Sequence, residues 1–270
     1  MLSPMTGGIA EVNGARLWYE VAGSGRAVVL LHGHLIDSGQ WDDQFPLYAR
    51  EFRVARYDAR GFGRSDQPEG PFSFSEDLHG LMGALGIERA ALVGCSGGGA
   101  TVVDLALAHP EMVEALVLVG SGLAGFRFTG EVPADMVAHR RAMEAGDVGR
   151  AVEASLRFST DGGRRPDQVD PAARERTRAM MVRQLSRPRV TAEARWVDPP
   201  AASRLAEIRA PVMVLVGDHD NVVVRDIADL VTREVPGARR EVIPDAGHHP
   251  NMEHPALFDE LVLGFLRGMK

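Results

Sequence analysis

Cysteine is almost missing from this chain of 270 residues, with Cys95 standing alone. One thiol excludes an internal disulfide framework and any cysteine-based zinc cluster. Long apolar runs are missing too, so no stretch reads as a bilayer span and no membrane partner is expected. Met1 to Gly14 lacks a basic start followed by an apolar core. No secretory signal is read there, and a cytoplasmic location is expected. Positive charge is in deficit, with 30 Lys and Arg against 37 Asp and Glu and a net charge of -7. Nucleic acid is therefore not an expected partner, because gripping phosphates needs a basic face.

What is present is ordinary for a globular protein: 45% hydrophobic and 25% charged residues, enough to bury a sizeable core. The length suits one α/β unit carrying an insertion. Nearly all the positive charge is arginine, and it concentrates between Phe126 and Arg209, where Arg140, Arg141, Arg164, Arg165, Arg174, Arg176, Arg178 and Arg183 fall. Such a run reads first as solvated helix surface and second as recognition of an anionic substrate.

Leu17 to Val21 alternates apolar and polar residues and reads as an edge-like strand, followed by the buried aliphatic run Ala27 to Leu31. Further strand-like runs are Phe52 to Tyr57, Ala90 to Val93, Ala115 to Val119, Val212 to Val216 and Glu241 to Ile243. Helical spacing separates them at Gln40 to Arg50, Ser75 to Leu85, Gly99 to His109, Val222 to Glu234 and Pro255 to Arg267. Strands alternating with helices imply a parallel sheet covered on both faces. Leu123 to Ser203 breaks the rhythm with no strand and three helices, Ala134 to Glu144, Val148 to Phe158 and Pro171 to Leu185. It reads as a helical cap, which divides the chain into a core of residues 1–124 and 204–270 and a cap of residues 125–203.

Gly94-Cys95-Ser96-Gly97-Gly98 sits between a buried strand and a helix, the context of a sharp turn that lifts a serine hydroxyl above a sheet. Larger residues at the flanking glycines would collide with the neighbouring strand or helix. A serine hydroxyl is a weak nucleophile and needs a base, and the base needs a carboxylate to orient it. Two later strand ends supply both: Gly217-Asp218-His219-Asp220, then Pro244-Asp245-Ala246-Gly247-His248-His249-Pro250. Ligands of such sheets bind at the carboxyl ends of the strands, where these loops converge. Asp220 and His248 are the chosen partners of Ser96. Asp218 is the rival acid but sits where a turn residue caps backbone amides. His249 is the rival base but directly precedes a proline, and Asp245 reads as a turn residue. His32-Gly33-His34 ends another strand, so the backbone N-H groups of His34 and Gly97 are the expected oxyanion donors. The string His32-x-His34-x-x-Asp37 gathers too few ligands for a catalytic zinc, and no metal or cofactor is expected. Arg60-Gly61-Phe62-Gly63-Arg64-Ser65 lacks the third glycine and the acid of a dinucleotide site and reads as a structural turn.

Together, Leu30-Leu31-His32-Gly33, Tyr57-Asp58-Ala59-Arg60-Gly61-Phe62-Gly63-Arg64-Ser65, Val93-Gly94-Cys95-Ser96-Gly97-Gly98 and Gly247-His248-His249-Pro250 resemble the α/β-hydrolase family, in particular its capped bacterial esterases, enol-lactonases and cofactor-free perhydrolases. The resemblance implies an α/β fold, a mostly parallel sheet with helices on both faces and a helical cap inserted after the sixth strand. It also implies nucleophile Ser96, acid Asp220, base His248 and donors at His34 and Gly97. The expected activity is hydrolysis of carboxylic esters or lactones of small to medium hydrophobic acids through an acyl-enzyme. Cleavage of a carbon-carbon bond in a vinylogous diketone, or ligand sensing on a hydrolase scaffold, are the alternatives. Phe126, Phe128, Met143, Phe158, Met180, Met181 and Trp196 are the expected pocket residues. Relatives carry a bulky Met or Leu where this chain has Gly97, so extra room for a branched acyl group is expected there. The oligomeric state stays open, a homodimer included.

Overall fold

The structure, a computed structural model, describes residues 5–188 and 192–269; the parts of the segments read above that fall at 1–4, 189–191 and 270 lie outside the described residues. In chain order the strands are β1 (Thr6–Val12), β2 (Ala15–Ala22), β3 (Ala27–Leu31), β4 (Arg53–Tyr57), β5 (Ala90–Cys95), β6 (Val113–Val119), β7 (Val212–Gly217) and β8 (Arg239–Ile243). The α-helices are α1 (Gln44–Tyr48), α2 (Phe74–Ala84), α3 (Gly97–Ala108), α4 (Ala134–Glu144), α5 (Val148–Leu156), α6 (Pro171–Leu185), α7 (Val222–Glu234), α8 (Pro250–Glu253) and α9 (Pro255–Gly268).

One sheet runs in the order β1-β2-β4-β3-β5-β6-β7-β8. The β1–β2 and β2–β4 pairs are antiparallel and every later pair is parallel. The edge is thus β1, not Leu17 to Val21, which lies one strand in. Gly7-Gly8 weakens the strand signal of β1, since glycine lacks a side chain to pack. With β1 counted, the helical segment follows β6.

Strand side chains alternate between two cores, as period-two geometry requires. Leu92, Leu116, Leu118, Val214 and Val216 face α2, α3 and α7, whereas Val93, Val117, Val119 and Leu215 face α1 and α9. A strand buried on both faces reads as a continuous aliphatic run, which is why β3, β5, β6 and β7 were legible. Several helices start where a side chain caps them: Asp170 accepts from the Ala173 N-H before Pro171 opens α6, and Asn221 accepts from the Val224 N-H at α7.

α4, α5 and α6 fall between β6 and β7, and α5 continues into a π-helical turn, Arg157–Asp161. Their apolar side chains do not form a separate core. Val152, Leu156, Ala173, Met180 and Met181 bury against Ile36 from the loop after β3 and Met252 from α8. The arginines of this segment are largely spent on ion pairs, several of which tie it to the sheet unit: Arg164–Glu253, Arg174–Asp161, Arg176–Asp43, Arg178–Glu153 and Arg183–Asp37. Among the described residues, no helix is long and apolar enough to cross a membrane.

Candidate active site

β5 ends at Cys95 and α3 begins at Gly97, so Ser96 must reverse the chain direction within one residue. It does so at φ 51°, ψ -116°, a conformation few non-glycine residues adopt and one that stores strain. The glycines around it are sterically required. A Cβ on Gly94 would lie 2.5 Å from the Gly98 carbonyl oxygen, and one on Gly98 would lie 2.7 Å from the carbonyl oxygens of Leu31 and His32.

The loops after β7 and β8 meet beside this turn. His248 Nδ1 lies 3.0 Å from both carboxylate oxygens of Asp220, which can only accept, so the proton resides on Nδ1 and Nε2 is left free. Asp220 is buried and also accepts from the Asn221 backbone N-H at 2.7 Å. The rival acid, Asp218, is exposed and accepts from the Ala246 N-H at 3.3 Å, a turn-capping bond. The rival base, His249, is buried, and its Nδ1 has no partner among the described residues. Burial and the neighbouring His248 hold its pKa well below the usual imidazole value. Burial would also lower His248, but the Asp220 carboxylate, by charge and hydrogen bond, and then Glu253 outweigh it, and the pKa is raised. Cys95, next to the serine, is inert by comparison: burial pushes its thiol up to about 12.

Ser96 and His248 line one cavity of about 210 Å³, together with His34, Leu35, Asp135, Met136, His139, Ser155, Phe158, Ser159, Met181 and His249. Among the described residues no hydrogen bond joins Ser96 Oγ to His248 Nε2; in unliganded enzymes such bonds often tighten only with substrate. The backbone N-H groups of His34 and Gly97 likewise have no acceptor among the described residues, and Gly97 opens α3, where the first turn leaves N-H groups free. A larger hollow of about 470 Å³ lies at the amino-terminal ends of the strands, lined by Arg89, Glu114, Val212 and Arg239, with no serine, cysteine or histidine among its described lining residues.

Of the seven pocket residues expected from sequence, Phe158 and Met181 line this cavity. The other five do not. Met143 lines a neighbouring hollow with Leu35, Phe62 and Phe74, and Met180 is buried in the core beneath the helices. Phe126 packs on the sheet core, Phe128 packs against Gly130, and Trp196 is partly exposed 6.0 Å from the Phe74 ring. Helical spacing marks which face is buried but not against what, so it does not separate these five from Phe158 and Met181. The polar members of the cavity, His139 and Ser155 above all, carried no apolar signal; their side chains hydrogen-bond each other at 2.8 Å.

The room expected at Gly97 is also absent. The His34 imidazole fills it: a Cβ on Gly97 would fall 2.8 Å from His34 Cγ and closer still to Cδ2 and Nε2. The ring opens onto the cavity and stacks 5.5 Å from Phe62. The bulk that relatives were expected to place after the nucleophile is supplied here from the loop after β3. Gly97→Leu is therefore expected to displace His34 and lower kcat/KM about 100-fold for linear and branched acyl esters alike, since a misplacement near 1 Å has that effect. A selective gain for linear esters in an ester panel would contradict this.

The two glycine-rich and histidine-rich strings without a catalytic reading have structural ones. His32 Nε2 accepts from the Ala59 N-H at 3.0 Å, so its Nδ1-H donates to the Gly33 carbonyl at 2.7 Å and neither nitrogen is free for a metal. Arg60 forms a buried fork with Asp77, its Nε and Nη2 each 2.7 Å from a carboxylate oxygen, pinning the turn after β4 to α2.

The histidine loop is itself clamped. Glu253 accepts from the Gly247 N-H at 2.9 Å and pairs with Arg164 at 2.6 Å, and Arg164 also donates to the carbonyls of Thr160, Asp161 and Asp245. Both side chains are nearly sealed, at 7% and 1% exposure. Arg164→Ala leaves an uncompensated buried carboxylate and is expected to cost about 3 to 5 kcal/mol. Urea denaturation would show it, and Arg164→Lys should recover part of the loss.

A sheet of this order with a serine at the turn after β5 and an acid and a histidine after β7 and β8 defines a hydrolase scaffold. The chain belongs to the alpha/beta hydrolase fold family, whose model matches residues 26–255. It is 30% identical over 265 residues to a pimeloyl-[acyl-carrier protein] methyl ester esterase of Edwardsiella ictaluri, covering 94% of this chain and 98% of that protein. It is equally 30% identical over 264 residues to a 2-hydroxy-6-oxo-6-phenylhexa-2,4-dienoate hydrolase of Burkholderia cepacia, covering 93% of this chain and 91% of that protein. Among solved structures, the enol-lactonase from Burkholderia xenovorans LB400 superposes with a TM-score of 0.79 at 25% identity, covering 96% of this chain and all of that one.

Proposed function

We propose that this protein is a serine carboxylic-ester hydrolase acting on esters or lactones of small to medium, uncharged, hydrophobic acids. The observation that carries the reading is the single cavity whose wall holds both the strained Ser96 and the Asp220-paired His248. His248 Nε2 takes the Ser96 hydroxyl proton as Oγ attacks the acyl carbon. Asp220 holds the proton on Nδ1 and balances the imidazolium. The N-H groups of His34 and Gly97 receive the oxyanion, one such donor being worth roughly 3 to 4 kcal/mol in the transition state. The alcohol leaves with the proton from His248, and water activated by the same nitrogen releases the acid from the acyl-enzyme. Residues 125–203 act as the cap that selects substrate, over a core of residues 1–124 and 204–270.

Carbon-carbon bond hydrolysis of a dienoate, the substrate class for which the Burkholderia cepacia relative is named, places a carboxylate in the site and would be favoured by cationic groups in the cavity. Among the described residues none of the cavity-lining side chains is Arg or Lys, and Asp135 is already paired with Arg157 at 2.9 Å. Neutral acyl groups are the better match.

A fluorophosphonate probe followed by a panel of neutral esters, lactones and a carboxylated dienoate tests the reading. Labelling with ester or lactone turnover at least about tenfold above dienoate turnover is expected, as a mismatched buried charge implies. Dienoate cleavage without ester or lactone turnover would replace it with the carbon-carbon reading, and stoichiometric binding without labelling would replace it with a sensor.

A further inference from the structure

His79 and His109 are 30 positions apart in sequence, yet their rings lie 4.0 Å apart centroid to centroid. His79 sits on α2, three residues after Glu76 and so on the same face. His109 follows the last residue of α3 and is held in place by its N-H bond to the Leu105 carbonyl at 2.7 Å, with Pro110 behind it. The Glu76 carboxylate spans the two imidazoles, with Oε1 3.0 Å from His109 Nε2 and Oε2 3.5 Å from His79 Nδ1. All three donor atoms fall within 4.8 Å of one another.

We propose that Glu76, His79 and His109 form a surface site for a divalent transition ion of the zinc class, separate from the catalytic cavity. Around a tetrahedral ion with bonds near 2.0 Å the ligand atoms sit about 3.3 Å apart, so the donors stand close to ligating positions before any ion arrives. Two imidazoles and one carboxylate suit zinc, nickel or copper and do not resemble the all-oxygen cages of calcium or magnesium. The fourth position faces solvent, since the side chains are partly exposed and an ion can enter.

The other His-containing clusters are less suited. Cys95, His248 and His249 belong to the catalytic loop, where Asp220 already engages His248 Nδ1. Asp218, His219 and Asp245 have their closest His to carboxylate approach at 4.0 Å, and Asp218 already accepts from the Ala246 N-H. The Glu76 site lies beyond the far end of α3 from Ser96, a helix of 12 residues and therefore about 18 Å. A bound ion would clip the start of α2 to the end of α3 without touching the chemistry.

Titration of the metal-free full chain with Zn2+ by calorimetry, and with Co2+ by its visible spectrum, tests the site. One-to-one binding with a tetrahedral cobalt spectrum and a raised Tm is expected in the wild type. His79→Ala with His109→Ala should abolish both, and Glu76→Gln, which removes the anionic ligand, should weaken binding at least about tenfold. Both variants should keep the wild-type circular dichroism spectrum and wild-type turnover in the absence of metal. No one-to-one binding to the wild type at about 100 Kd of a typical micromolar site, or unchanged binding in the double variant, would overturn the proposal.

Discussion

Ser96→Ala is expected to lower kcat about 10⁶-fold, the size of effect seen when the nucleophile of a coupled triad is removed. Fluorophosphonate labelling should vanish with it. The fold should not, because α3 is anchored by a core that excludes the serine side chain: Val102, Val103 and Leu105 are fully buried and continue the sheet core from Leu92 to Leu116. The variant therefore separates chemistry from binding. A soluble Ser96→Ala protein that retained ester turnover in a continuous assay would remove Ser96 from the mechanism, whatever the other two residues do.

Asp220→Asn is expected to lower kcat about 10⁴-fold and to move the acid limb of the pH profile. The sign follows from the opposing influences on His248. Burial disfavours the imidazolium, but Asp220 and then Glu253 together more than offset it, so the wild-type pKa lies above the ordinary value of 6.5. The base must be neutral to accept a proton, so kcat/KM falls as pH drops through that raised value. With asparagine the main raising influence is gone, burial prevails, and the limb shifts to lower pH. For stability the same raised pKa works in the opposite sense: the protonated pair stabilises the fold below the unfolded imidazole value, and this is lost as pH rises through the folded one. A pH profile of Asp220→Asn with an unmoved acid limb would mean that another group sets it.

The parts of this molecule that could be read from sequence share a physical property. The central strands announce themselves because burial on both faces demands uninterrupted aliphatic residues, and Ser96 because only glycines fit around so sharp a turn. Order along the chain then places Asp220 and His248 at neighbouring strand ends. The parts that could not be read depend on which surfaces meet. Phe126 and Met180 are as apolar as Phe158, yet they bury against the sheet and the helices, and only tertiary packing separates them. Gly97 looked like added space because the residue that fills the space, His34, arrives from a loop more than sixty positions upstream. The Glu76, His79 and His109 cluster is silent in sequence for the same reason, since helix packing, not spacing, brings its ligands together.

The π-helical turn after α5 does more than end a helix. Its Ser159 carbonyl accepts the His248 N-H at 3.0 Å, and its Thr160 carbonyl receives Arg164, which holds Glu253 beneath the same loop. His248, the proposed base, thus takes part of its backbone position from the segment proposed to choose the substrate. On this proposal, selection and catalysis are not interchangeable modules in this chain. Replacing residues 125–203 by the equivalent segment of a relative would exchange the pocket and, in the same operation, release one end of the base; a chimera that changes specificity without losing rate will need Ser159 to Arg164 carried over from this protein.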